Sequence, residues 1–111
     1  MLGPADIRAL ALALPAAEEA PHFDATSFRV KGKIFATMGE DAGRMTLKFD
    51  PEDQHNLVAS HPDTIAPVDG YWGRSGWTTV IFGTLEPEFV TALMRMAWAR
   101  VVPKKLLQQH P

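Results

Sequence analysis

Apolar residues recur along the chain with two different periods, and the change from one period to the other separates helices from strands. The first run has helical spacing, at Ile7, Leu10, Ala11 and Leu14. It predicts a helix over residues 4–14, which Pro15 ends because the residue before a proline avoids the helical conformation. The link that follows, residues 18–23, is expected to be irregular or briefly extended.

Residues 26–49 alternate between apolar and polar side chains, which is the period of a strand with one buried face. Residues 26–38 are predicted to form a hairpin whose tight turn is Lys31-Gly32, since glycine readily adopts positive φ. A second turn, over residues 39–43, leads into a third strand over residues 44–49. Together the strands form a predicted antiparallel meander with one apolar and one basic face. The alternation places on the apolar face Phe28, Val30, Ile34, Ala36 and Met38.

The second half of the chain continues with helices and strands in alternation. Asp50-Pro51 is a strong helix start, since aspartate suits the cap position and proline suits the first turn. The main helix, residues 86–102, is apolar nearly all round and is therefore expected to be buried, with Trp98 at its border. The remaining predicted segments are a helix over 50–60, a short extended piece over 63–68, a strand over 78–82 and a frayed tail over 106–111.

The element order α-β-β-β-α-β-α predicts a fold of the α+β class. We expect a two-layer sandwich in which a mostly antiparallel sheet carries the helices packed on one face. The 111 residues contain no internal repeat and no linker long enough to divide domains, so a single domain over residues 1–111 is predicted.

The absence of cysteine excludes disulfides, thiolate nucleophiles and cysteine-ligated metal sites. The net charge is −2, but residues 25–49 hold five cationic side chains against two carboxylates, a local charge of +3. No apolar run approaches the ~20 residues of a membrane-spanning helix, and the start of the chain lacks the basic segment of a signal peptide. We therefore expect a cytoplasmic protein without a membrane partner, with a monomer as the default state.

The least generic stretch is Tyr71 to Thr79, where two tryptophans stand five residues apart around two glycines and one arginine. Two interpretations of this tryptophan stretch remain open. In the structural interpretation, Trp72 and Trp77 cap the core and the glycines form a turn. In the functional interpretation, the stretch presents Arg74 to an anion or to another protein.

Motifs of a known family are distributed over nearly the whole chain. The most specific is the Trp-Gly-x-x-Gly-Trp core, and the matching segments are Leu14-Pro15, residues 18–23, Ser27 to Val30, Lys33 to Ala36, Leu47-Lys48, Trp72 to Thr78 and Trp98 to Leu106. Together they resemble the MmcQ/YjbR family. The resemblance implies a compact α+β domain, described as a double-wing arrangement, and a role in DNA binding. It implies no agreed catalytic residues.

DNA binding would rely on cationic side chains at the hairpins and in the tryptophan stretch, because phosphates attract lysine and arginine. The candidates are Arg29, Lys31, Lys33, Arg44, Lys48 and Arg74. A β-ribbon that projects such residues can contact phosphates without reading the base sequence. The alternative is that the alternating cations form an ordinary solvated sheet face, which protects against edge pairing.

A small anionic ligand is an alternative partner, because an arginine between aromatic rings can hold a carboxylate or a phosphate. Such a site would gather His22, Lys48, Trp72, Arg74 and Trp77. A third alternative is a protein-interaction domain that uses exposed tryptophans as anchors.

Catalytic and cofactor motifs are weak in this sequence. His55 and His61 are six residues apart, which is not a metal-ligand spacing. The segment Gly73 to Gly76 misses the spacing of a serine nucleophile elbow by one residue. We therefore expect a binding protein rather than an enzyme, with no cofactor and no metal.

Overall fold

The computed structural model describes residues 1–39 and 43–109 of the chain. The helices within these residues are α1 (Pro4–Leu12), α2 (Pro51–Ser60), α3 (Tyr71–Arg74), α4 (Pro87–Val101) and α5 (Lys104–Gln109). The strands are β1 (Glu18–His22), β2 (Ala25–Val30), β3 (Lys33–Met38), β4 (Arg44–Lys48), β5 (Ile65–Pro67) and β6 (Trp77–Ile81). Residues 40–42, inside the predicted second turn, and residues 110–111, at the end of the predicted tail, lie outside the described residues.

The described strands form one antiparallel sheet, in the spatial order β1-β2-β3-β4-β6-β5. Helices α1, α2 and α4 cover one face of it. Helix α4 packs on β3 and β4, and α1 packs on α4. Arg100 of α4 donates a hydrogen bond of 2.9 Å to Asp50, directly before α2. The α+β sandwich with its helices on one face, predicted from the element order, is confirmed.

The hydrophobic core lies between α4 and the helix-covered face of the sheet. Helix α4 contributes Val90, Leu93, Met94, Ala97 and Trp98. The burial of this helix agrees with its apolar sequence, but Trp98 does not lie at the border, because its side chain is fully buried. Its indole Nε1 donates to the carbonyl oxygen of Pro15 over 2.9 Å. This bond satisfies the only polar group of the indole and allows the ring to leave water.

A β-bulge in β3 reverses the predicted faces at the start of that strand. Phe28 pairs with Ala36 and Arg29 pairs with Ile34, so Phe35 is an extra residue between two ladder pairs. As a result Phe35 and Ala36 are both buried in the core, while Ile34 lies half-buried on the opposite face with Arg29. The predicted place of Ile34 on the apolar face is therefore wrong, because strict alternation holds only in a regular ladder.

Residues 18–22, expected to be irregular or briefly extended, form the edge strand β1, and each of them pairs with a residue of β2. Two other segments differ from the sequence-based expectation. The expected frayed tail is helical over residues 104–109, where Leu106 and Leu107 pack against the core. Asp50 occupies the predicted cap position of α2, but its side chain bonds Arg100 instead of capping the helix.

Candidate functional site

The face of the sheet turned away from α1, α2 and α4 carries a row of hydroxyl side chains. Ser27, Thr37, Thr46 and Thr79 lie side by side in register on four neighbouring strands. The Thr37 and Thr46 hydroxyls are hydrogen-bonded to each other, and Ser27 donates to the carbonyl oxygen of Ala20 over 2.8 Å. The Thr37, Thr46 and Thr79 side chains of this row are short and half-buried, and longer side chains stand around them on the same open face.

A cavity of about 330 Å³, which we call the groove, lies on the open face. Its lining consists of His22, Ile34, Thr37, Thr46, Val68, Trp72 and Trp77. His22 belongs to the first strand of the sheet and Trp77 to the fifth in spatial order. In a flat sheet these strands would lie about 19 Å apart, at about 4.8 Å per strand. Both residues nevertheless line one cavity, so the groove extends across several neighbouring strands.

Two close backbone approaches fix the path of the tryptophan stretch. A Cβ atom on Gly73 would lie 1.7 Å from the carbonyl oxygen of Val68, and one on Gly76 would lie 2.0 Å from that of Phe49. Gly76 also has a φ of +111°. The glycine part of the structural interpretation is therefore correct, although Gly73 is required by space and not by positive φ.

The tryptophans of this stretch do not cap the core, contrary to the other part of that interpretation. Trp72 lies on the single turn α3 and is 60% exposed. Trp77 begins β6 and is half-buried on the open face. Both indole rings line the groove, so the close glycine packing places two tryptophans around one cavity.

Gln54 of α2 holds the tryptophan stretch from the helix side. Its side chain is buried, and Nε2 lies 2.9 Å from the carbonyl oxygen of Gly73 and 3.1 Å from that of Trp77. The same nitrogen lies 3.0 Å from the hydroxyl oxygen of Thr78. Sequence reasoning did not identify this residue, because a single glutamine in a helix carries no pattern that indicates a buried role.

Lys48 brings a positive charge to one end of the groove. Its Nζ lies 5.9 Å from the ring centroid of Trp77, in a cation–π arrangement, and the residue is half-buried. No carboxylate among the described residues lies within ion-pair distance of this ammonium group. Of the ligand set predicted from the sequence, His22, Trp72 and Trp77 line the groove, and Lys48 lies outside the lining but contacts Trp77.

The two arginines of the predicted sites have different surroundings. Arg74 is exposed at the end of α3 and does not line the groove. The Arg29 side chain is bound to the sheet, since Nε donates to the Ser27 hydroxyl over 2.8 Å and Nη2 donates to the carbonyl oxygen of Pro21 over 3.2 Å. Its guanidinium group has therefore already used part of its hydrogen-bonding capacity.

The remaining predicted phosphate contacts lie at two ends of the sheet. Lys31 and Lys33 are exposed at the tip of the β2–β3 hairpin, where Lys31 and Gly32 both have positive φ, as a tight hairpin turn requires. Arg44 is exposed at the opposite end of the strands, in register with Ile81. The six cations proposed for DNA are therefore divided between separate parts of the surface.

A polar network joins α1 to the first two strands. Arg8 Nε lies 2.6 Å from one carboxylate oxygen of Glu19, and the Thr26 hydroxyl donates to the other over 2.9 Å. The hydrogen bond from Arg8 lowers the pKa of Glu19 below its usual value, and the bond from Thr26 acts in the same direction. The network connects elements of the fold and lies outside the lining of the groove.

Within residues 1–39 and 43–109, no group of three or more histidine, aspartate and glutamate side chains could hold a metal ion. No helix in this part of the chain is long and apolar enough to cross a membrane.

Comparison with known proteins places the chain in a family. The YjbR family model matches residues 12–100, a segment that includes the whole lining of the groove. The crystal structure of the Deinococcus radiodurans protein DR2400, which has a DUF419 domain, is similar with a TM-score of 0.79 and 29% sequence identity, over 95% of this chain and 82% of that chain. No curated protein matches the chain. The chain therefore belongs to the YjbR family.

Proposed function

We propose that the groove binds a small, flat, largely apolar compound with one negative charge, such as an aromatic carboxylate. The observation that carries this proposal is the meeting of His22, Trp72 and Trp77 around one cavity of about 330 Å³. That volume lies at the lower end of the range for small-molecule sites, which suits a small aromatic compound. Ile34 and Val68 complete an apolar lining, as ligand pockets commonly have.

The expected negative charge follows from the position of Lys48. Its ammonium group lies beside the Trp77 ring at the edge of the groove and has no carboxylate partner among the described residues. A ligand ring packed along Trp77 would bring an attached carboxylate toward this cation. The hydroxyls of Thr37 and Thr46 offer hydrogen bonds from the floor of the groove.

Isothermal titration calorimetry with 2-naphthoate tests the proposal. We expect saturable binding of one molecule per chain. 2-Naphthalenemethanol, which lacks the charge, and cyclohexanecarboxylate, which lacks the aromatic ring, are both expected to bind more weakly. Equal dissociation constants for all three compounds, or no saturable binding of 2-naphthoate, would contradict the proposal.

Matched variants locate the binding. Thr37→Phe fills the groove and is expected to abolish 2-naphthoate binding, whereas Thr91→Phe places the same side chain on the exposed side of α4 and should leave it intact. Lys48→Met should weaken binding by roughly two- to tenfold, the range of a partly exposed charge pair. Lys33→Met removes a lysine at the hairpin tip and should have no effect.

DNA binding is a second candidate function, and the exposed tip of the β2–β3 hairpin is the observation that favours it. Lys31 and Lys33 stand on either side of Gly32 and face solvent. A projecting ribbon with two cations can contact phosphates without base recognition. The double-wing label of the family is consistent with this use, while the engaged side chain of Arg29 and the distant position of Arg44 favour it less.

Fluorescence polarisation with a labelled duplex, at low and near-physiological salt, tests this second candidate. Contacts with two or three phosphates predict a log–log salt slope of roughly −2 to −3. The double variant Lys31→Glu, Lys33→Glu should weaken binding about equally for duplexes of any sequence. A flat salt response, or unchanged binding by the double variant, would refute it.

We also propose that the protein acts in the cytoplasm as a monomer. The absence of cysteine fits a reducing compartment. The groove is formed by residues of one chain, so ligand binding requires no second copy. Sedimentation equilibrium tests the monomer, and a dimer mass at low concentration would contradict it.

A further inference from the structure

Phe23, in the turn between β1 and β2, combines a strained backbone with an exposed side chain. Its φ is +57°, in the left-handed region where a bulky side chain is strained. Its side chain is 94% exposed, so the aromatic ring gains little from burial. Glycine or asparagine would suit this backbone better. Burial of the ring therefore does not compensate for the backbone strain at this position.

The contacts of Phe23 connect it to the groove. Its ring packs edge-on against the ring of His22, with centroids 4.9 Å apart and an interplanar angle of 66°. His22 lines the groove, and Phe23 contacts it from outside the lining; we call this position the rim. On the opposite side, the exposed Trp72 packs against Tyr71 with ring centroids 5.7 Å apart. Exposed aromatic side chains thus flank the groove from the β1–β2 turn and from α3.

We infer that Phe23 is a ligand contact that determines the specificity of the groove for larger ring systems. A bound aromatic compound long enough to pass His22 covers the Phe23 ring, which is otherwise in water. This inference rests on the proposed function of the groove. Backbone strain is commonly kept where binding, and not folding, requires a residue. Among the described residues, Ala16 and Lys31 also combine a side chain with positive φ, but neither side chain is aromatic.

The inference predicts a dependence on ligand size that a structural role would not produce. In Phe23→Gly, the dissociation constant of 2-naphthoate should rise roughly ten- to hundredfold, since the ligand loses the area that the phenyl ring covers. The dissociation constant of benzoate, whose single ring remains inside the groove, should change by less than about threefold on the same scale. Phe23→Trp, which keeps an aromatic ring at the rim, should retain the preference for 2-naphthoate.

Ala16→Gly is the matched control for the backbone. It places glycine at another left-handed position, in the exposed link between α1 and β1 and outside the groove, and should leave both affinities unchanged. We expect the thermal midpoints of Phe23→Gly and Ala16→Gly to shift in the same direction, so a loss of affinity in Phe23→Gly alone reports a lost contact and not lost folding.

Two outcomes would overturn the inference, and they differ in what else they imply. If the wild type binds 2-naphthoate and Phe23→Gly binds it equally well, the role of Phe23 is refuted and the proposed function of the groove stands. If the wild type binds neither naphthoate nor benzoate, the proposed function fails and the role of Phe23 fails with it.

Discussion

Replacing Gln54 by leucine tests how the tryptophan stretch is held in place. Nε2 of Gln54 lies 2.9 Å and 3.1 Å from the carbonyl oxygens of Gly73 and Trp77, and 3.0 Å from the hydroxyl of Thr78. Leucine has a similar size but donates no hydrogen bond. The substitution therefore removes the bonds between α2 and the stretch with little loss of packing.

The size of the effect follows from the partners that each acceptor keeps. The carbonyl of Gly73 still accepts from the N–H of Gly76 over 3.1 Å, and that of Trp77 from the N–H of Val68 over 3.0 Å. Thr78 still donates to the carbonyl of Gly76. The loss is therefore that of two donated bonds, at about 0.5–1.5 kcal/mol each. We expect the free energy of unfolding to fall by about 1–3 kcal/mol, out of roughly 5–15 kcal/mol for a typical domain.

Urea-induced unfolding, followed by far-ultraviolet circular dichroism, measures this change. Gln108→Leu, the same substitution at an exposed position of α5, is the control and should remain within about 0.5 kcal/mol of the wild type. Because Gln54 positions Trp77, the Gln54→Leu variant should also bind 2-naphthoate more weakly. If Gln54→Leu matches the wild type in both stability and affinity, the stretch is held without this residue and the reasoning is refuted.

Two further predictions concern the backbone and pH. Gly76→Ala should lower the free energy of unfolding by more than about 3 kcal/mol, because the new side chain would have a strained φ and would contact the backbone of Phe49. Gly32→Ala has open space around the new side chain and should lower it by only about 1–2 kcal/mol. Equal losses for the two variants in urea-induced unfolding would contradict this prediction. Since Arg8 lowers the pKa of Glu19, the extra stability of the wild type over Glu19→Gln should be present above the usual value of 4.5 and disappear as the pH falls below it. If the difference in the free energy of unfolding between the wild type and Glu19→Gln stays constant from neutral to acid pH, the result counts against the Arg8 contact.

The sequence by itself determined most elements of the fold, because their signals act between near neighbours. The helical spacing of apolar residues predicted α1, and the long apolar segment between Pro87 and Pro103 predicted α4. Pro51 and Pro87 occupy the first turns of their helices. Lys31-Gly32 forms the predicted hairpin turn. The Trp-Gly-x-x-Gly-Trp motif also indicated the YjbR family before any contact was known. Periodicity, prolines and tight turns restrict the backbone locally, so the elements that they define can be predicted from the amino-acid sequence.

Only the tertiary structure decided which residues form the groove. The bulge in β3 moved Ile34 from the predicted core face to the open face, and the assembled sheet placed His22 and Trp77 around one cavity. Gln54 became important through contacts with residues 19 to 24 positions away. These features depend on ladder register and on distances between segments that are far apart in the chain. A periodic pattern of apolar residues contains neither the register nor these distances, because both are set by the packing of the whole fold.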